Sequence, residues 1–166
     1  MKRLVMLAGF VLVALSLPLA AQPKYGVTVT ADKGTDFTKL KSYVWQSGWD
    51  AADRKAHAQI ITAVDKELKA LGLELKASGP SDVIVKYASL RRIDVVADMK
   101  ADANTPRQQI EVGSLQVVML DPATKKELLR LRIDKPIDIA PDQMVATVNS
   151  AVTELFAKYP TRVPKK

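Results

Sequence analysis

Residues 113–133 read GSLQVVMLDPATKKELLRLRI, and the fold follows from this stretch. Two runs rich in Val, Leu and Ile flank a cluster of turn formers, Asp121, Pro122, Ala123 and Thr124, which is the pattern of a β-hairpin. Parity fixes its register. Pairing Met119 with Leu129, Val117 with Leu131 and Leu115 with Ile133 keeps six apolar side chains on one face, whereas a slip of one residue sets Arg130 beside Val117. The first arm extends back to Ile110. Ile110 and Val112 have the opposite parity from Leu115 and Val117, so a β-bulge is expected at Gly113.

Working outward, residues 82–90 alternate Val83, Val85 and Tyr87 against Ile84, Lys86 and Ala88, the period of a strand, which Ile93 and Val95 can prolong. Residues 99–107 read as a mobile polar loop broken by Asn104 and Pro106. Nearer the start, residues 25–31 alternate Tyr25, Val27 and Val29 with Gly26, Thr28 and Thr30. A turn at Lys33, Gly34 and Thr35 follows, then a short strand over 42–45. Asp50 or Asp53 caps a helix carrying Ile60, Ile61, Val64, Leu68 and Leu71, and Gly72 supplies its left-handed end. A last helix starts at Pro141 and Asp142, shows Val145, Val148, Val152, Leu155 and Tyr159 at helical spacing, and ends at Pro160. The order β-β-α-β-β-β-α, with short connections, predicts an α+β two-layer sandwich: a mainly antiparallel sheet with two helices on one face.

Composition bounds the chemistry. The 166 residues are 48% hydrophobic and 26% charged, which suits one folded domain rather than a disordered or multi-span chain. There is no Cys and one His. Disulfides, thiolate metal sites, Cys nucleophiles, an acylated lipoprotein cysteine and multi-His metal centres are thereby excluded, and no cofactor is expected. Lys2 and Arg3, an apolar run over 4–17, Pro18 and the small pair Ala20 and Ala21 form a cleavable signal peptide over 1–21. The run is interrupted by Gly9 and Ser16 and falls short of the roughly 20 residues of a spanning helix. The expected product is a single domain, 22–166, soluble in the periplasm and without a lipid anchor or integral span. Losing Lys2 and Arg3 lowers the net charge from +7 to +5, so the basic balance survives export.

Several strings resemble a known family. Asp36-Phe37-Thr38 leading into Tyr43-Val44-Trp45 is one, and the helix segment Ala63-Val64-Asp65-Lys66-Glu67-Leu68 ending at Leu71-Gly72 is another. Ser81-Asp82-Val83-Ile84-Val85-Lys86-Tyr87, Gly113-Ser114-Leu115-Gln116-Val117-Val118, the turn 121–126 and Leu155-Phe156-Ala157-Lys158-Tyr159-Pro160 complete the set. Together they are similar to the bacterial envelope family catalogued as domain of unknown function 4136. The resemblance spans nearly all of 22–166 and implies export, with lipid anchoring frequent among members. It implies no reaction, and Leu129 and Leu131 stand where the family's Trp and a following Arg-Gly are expected.

Candidate chemical groups are sparse. His57 lies on the stripe of the first helix, and a general base there needs a nucleophile or an orienting carboxylate within reach. Asp32, Asp36, Asp50 and Asp53 are candidate oxygen ligands or an acid pair, but turns and helix starts are where Asp ordinarily serves as a cap. Ser78-Gly79-Pro80-Ser81 lacks the spacing of a phosphate loop or a nucleophile elbow and reads as a turn. Trp45 and Trp49 could shelve a sugar; core packing is the plainer reading. Arg91-Arg92, Lys125-Lys126, Arg162, Lys165 and Lys166 are dispersed cations without interleaved aromatics, and export removes nucleic acid as a partner.

The hairpin register singles out a binding surface. It places Val118 beside Arg130, Gln116 beside Arg132 and Leu120 beside Leu128 on the face away from the helices, with Ile84 and Lys86 on the same side. A water-facing sheet is normally polar, so mixed apolar and cationic side chains there point to a covered surface. The expected function is non-enzymatic: binding of an anionic or amphipathic envelope component, lipid or polymer, or of a protein partner, with self-association a further option. The alternative is an envelope hydrolase built from carboxylates and His57.

Overall fold

In the computed structural model, which describes residues 25–95, 109–137 and 143–162, the hairpin forms in the expected register. Strand β5 (Gln109–Leu120) pairs antiparallel with β6 (Glu127–Pro136), setting Leu115 opposite Ile133, Val117 opposite Leu131 and Met119 opposite Leu129. All six are buried. The connecting loop is held by Asp121, whose Oδ1 accepts the Ala123 and Thr124 amides at 3.0 and 2.7 Å, while its own amide reaches the Lys126 carbonyl at 2.9 Å. That closure leaves one residue over. The register shifts after Met119, so Leu120 lies opposite Glu127 and not beside Leu128 as expected.

No bulge occurs at Gly113, which sits in an unbroken ladder between Arg91 and Lys135. Val112 instead points to the face away from Leu115 and is wholly buried there. The change of parity in the sequence therefore marks a change of buried face, not a repaired register.

Strand β1 (Gly26–Ala31) joins the outer side of β6, and β4 (Val83–Val95) pairs along β5, both antiparallel. Strand β2 (Ser42–Trp45) is parallel to β4 and to β3 (Glu74–Leu75), giving a mixed six-stranded sheet in the order β1-β6-β5-β4-β2-β3. The two parallel joints follow from helix α1 (Arg54–Ala70), which carries the chain across the sheet between β2 and its neighbours, the kind of crossover parallel pairing requires. β3 was not anticipated; it forms because the Glu74 amide reaches the Lys41 carbonyl and the Lys76 amide the Tyr43 carbonyl, both at 2.8 Å. Asp82 fastens this edge. Its Oδ2 accepts the Lys41 and Ser42 amides at 2.8 Å each, and these bonds hold its carboxyl below the ordinary range.

Asp53 caps α1, accepting the Ala56 amide at 2.8 Å, and Gly72 turns the chain out at φ +84°. Helix α2 (Met144–Phe156) stops short of Pro160, and Tyr159, buried beyond the helix end, stacks on Phe156 and meets the edge of Phe37. Val145 is 48% exposed and falls off the expected stripe. The expected helix start at Pro141 and Asp142 and the expected loop 99–107 lie outside the described residues. Ile60, Val64 and Leu68 of α1, and Val152, Leu155 and Phe156 of α2, share one core with Val83, Val85, Leu115, Val117, Leu129 and Leu131. Both helices thus cover one side of an α+β two-layer sandwich.

Candidate binding face

The other side of the sheet is where strand alternation sends the even-numbered residues of β4, β5 and β6. Lys86 lies opposite Val118, Val118 opposite Arg130, Gln116 opposite Arg132 and Ile84 opposite Leu120. The structure thus brings Lys86, Gln116, Val118, Leu120, Arg130 and Arg132 to one face. Leu128, displaced by the register shift, is half-buried and packs against the main core. Of the apolar residues described on this face, Ile84 and Val112 are well covered, at 7% and 0% exposure, whereas Val118 and Leu120 are half-buried.

The arginines are not free charges. Arg130 grips Glu127, with Nε at 3.0 and 3.1 Å from the two carboxylate oxygens and Nη2 also engaged. Arg132 holds Asp134 at two points, and Asp134 also accepts Arg92 Nη1 and Ser114 Oγ, each at 2.7 Å. Arg92 reaches on to Asp94, which takes the Tyr25 hydroxyl at 3.2 Å. Burial works to raise the Asp134 pKa, but hydrogen bonds from Arg132, Arg92 and Ser114 outweigh it and hold the carboxyl at about 2. The same carboxylates push all three guanidinium groups upward. An incoming anion must therefore compete with carboxylates already in place. Lys86 differs: among the described residues it has no carboxylate partner.

Sequence reasoning missed the Arg92–Asp134–Ser114 core of this network. The signal was present, because extending the hairpin register one step beyond Leu115 and Ile133 sets Ser114 opposite Asp134. Arg92 could not be added without knowing that β4 runs along β5.

The other candidates disperse. His57 Nδ1 lies 2.5 Å from the Tyr87 hydroxyl, which also accepts the Ala51 amide at 3.0 Å. Among the described residues the ring's partner is Tyr87 of β4, a contact between helix and sheet, and no carboxylate is hydrogen-bonded to it. Asp32 binds Thr35 and Lys126, Asp36 binds Thr38, Asp50 binds Ser47 and Asp53 caps α1. Asp36, Asp50 and Asp53 serve their own turns, and Asp32 also ties its turn to the hairpin loop through Lys126. Trp45 packs against the core and donates to Asp65 at 2.8 Å, whereas Trp49 is 71% exposed; the two do not form a shelf. Gly79, at φ +89°, makes the 78–81 segment a turn. Among the described residues no cluster of three metal-ligating side chains occurs, and no helix is long and apolar enough to cross a membrane. A cavity of about 140 Å³ opens between the helices and the sheet, lined by Ile60, Leu115, Ile133, Met144 and Val148, with Lys135 at its edge engaged by Glu154.

The sequence model of a family described as a domain of unknown function, DUF4136, matches residues 27–161. The chain belongs to DUF4136. The match runs from the first strand past the buried Tyr159, so the DUF4136 unit includes the whole sheet and both helices. This DUF4136 chain resembles a PDZ domain protein from Parabacteroides distasonis, with a TM-score of 0.58 and 14% identity over 86% of this chain. It spans 36% of that protein's length. It also resembles PelC from Paraburkholderia phytofirmans, solved as a dodecamer, with a TM-score of 0.54 and 9% identity over 84% of this chain and 98% of PelC. A lipoprotein from Neisseria meningitidis is a looser likeness, with a TM-score of 0.39 and 11% identity over 70% of this chain and 97% of that one. For the first two, at these identities, the likeness is one of fold. No curated protein sequence matches the chain.

Proposed function

We propose that this DUF4136 chain is an exported, non-enzymatic protein of the bacterial envelope that holds an amphipathic partner against its open sheet face. The observation that carries the reading is the composition of that face. Val118 and Leu120 stand half-covered among arginines already paired within the sheet, with Lys86 a cation that has no carboxylate partner among the described residues. Apolar groups framed by neutralised charge suit a protein surface or an amphipathic envelope component better than a small free anion, which would have to displace Glu127 or Asp134. Self-association belongs to the same class of partner, and the dodecameric state of PelC supports including it.

Export rests on residues 1–21, with cleavage after Ala21 and a periplasmic product without a lipid anchor. Intact mass of the protein from periplasmic extract should begin at Gln22; a membrane-bound species retaining Met1 would contradict this. For the binding face, Val118→Asp with Leu120→Asp should leave the fold intact, because neither side chain enters the helix-side core, and should abolish capture of the partner from solubilised native envelope. Identical capture by the variant and the parent protein would overturn the reading. Arg130→Glu with Arg132→Glu sets like charge against Glu127 and Asp134, so it tests the sheet's own ion pairs as much as binding.

A further inference from the structure

The two ends of the sheet are built differently. The β3 end is two residues long, carries Glu74 and runs into Lys76, Gly79 and Pro80, features that blunt an edge. The β1 end reads GVTVTA over Gly26–Ala31, with no charge, no proline and no bulge, and Val29 is 40% exposed.

Its hydrogen-bonding direction is set by the partner strand. Asp32 donates its amide to the Leu128 carbonyl at 2.8 Å, one rung beyond the pairing of Ala31 with Leu129. Antiparallel alternation then gives Thr30, Thr28 and Gly26 the bonds to β6, and turns the N–H and C=O of Val27, Val29 and Ala31 outward. We infer that the β1 edge pairs antiparallel with the β1 edge of a second copy of this chain, about a two-fold axis at Val29. The sequence is self-complementary about that point. Val29 meets its own symmetry mate, covering the exposed side chain, while Val27 faces Ala31 and every outward amide and carbonyl of the three finds a partner. Thr28 faces Thr30 on the open side, a favourable cross-strand pair, and no like charges stand opposite each other. The axis runs perpendicular to the sheet, so the open faces of both copies become one continuous surface. The inference stands on β1 alone and survives failure of the binding-face reading.

The chain contains no Cys, so a single introduced thiol can bridge only to another copy. In Val29→Cys the paired Cα atoms would lie about 5.5 Å apart, within disulfide range. Under mild oxidation the purified variant should give a covalent dimer much faster than Lys125→Cys, on the exposed hairpin loop. Sedimentation of the unmodified protein should show a concentration-dependent dimer, and Val29→Lys should weaken it by about tenfold or more through like-charge repulsion. A monomer throughout the concentration range, equal cross-linking at Val29→Cys and Lys125→Cys, or an undiminished dimer in a folded Val29→Lys protein would overturn the inference. Should Val29→Lys fail to fold, the cross-linking comparison decides.

Discussion

Arg132 and Asp134, two residues apart on one strand, close a two-point contact, Nε to Oδ2 at 2.8 Å and Nη2 to Oδ1 at 3.0 Å. Side chains at i and i+2 share a face of a strand, so the pair lies flat along the open side. Ser114 and Arg92 complete the ring of donors around the carboxylate.

Asp134 should therefore make stability depend on acid. Its folded pKa of about 2 lies below the ordinary aspartate value of 3.8, so its contribution is present above pH 4 and is lost as the pH falls through 2. The difference corresponds to about 2 kcal/mol. Asp134→Asn should lower the urea-unfolding free energy at pH 7 by that order and flatten its change between pH 4 and 2.

Glu67 is 9% exposed on α1 and accepts Arg162 Nη1 at 2.7 Å and Thr153 Oγ1 at 3.1 Å. Removing the arginine strands a covered carboxylate. Arg162→Ala should cost about 2 kcal/mol in chemical denaturation, and Glu67→Gln with Arg162→Ala should recover part of it.

Gly48 lets the backbone after β2 lie against β4, where Trp49 donates to the Tyr87 carbonyl at 3.1 Å and accepts from Ser89 at 2.9 Å. A Cβ at Gly48 would fall 2.1 Å from that carbonyl oxygen. Gly48→Ala should destabilise by about 2 kcal/mol or more, and amide exchange should show Trp49 and Ser89 losing protection.

Among the described residues the buried Tyr159 hydroxyl has no hydrogen-bond partner, and burial pushes its pKa up to about 12. Tyr159→Phe keeps the rings stacked on Phe156 and removes the orphaned oxygen. Thermal unfolding should show unchanged or raised stability, by up to about 1 kcal/mol.

What the sequence disclosed follows a physical line. The hairpin register was legible because parity and a tight loop over-determine it, and Asp53 and Gly72 were legible because caps act on backbone groups within a few residues. The Leu120 shift was not, since it depends on how the 121–126 loop closes. Val112 was misplaced because an apolar run was assumed to bury one face only. The parallel joints of β2 and the pairing of Arg92 with Asp134 join residues distant along the chain, and no local pattern encodes them. On the candidate face, side-chain direction was readable from alternation, whereas neutralisation of Arg130 and Arg132 by Glu127 and Asp134 required the side-chain geometry.

The most direct test of the open face as a binding surface is site-specific photo-crosslinking in the native envelope. A benzophenone residue in place of Gln116, between Arg132 and Ala88 on that face, should give a discrete adduct, while the same probe at Lys66, exposed on α1, should give none. Absence of an adduct at Gln116, or equal adducts at both positions, would contradict the account.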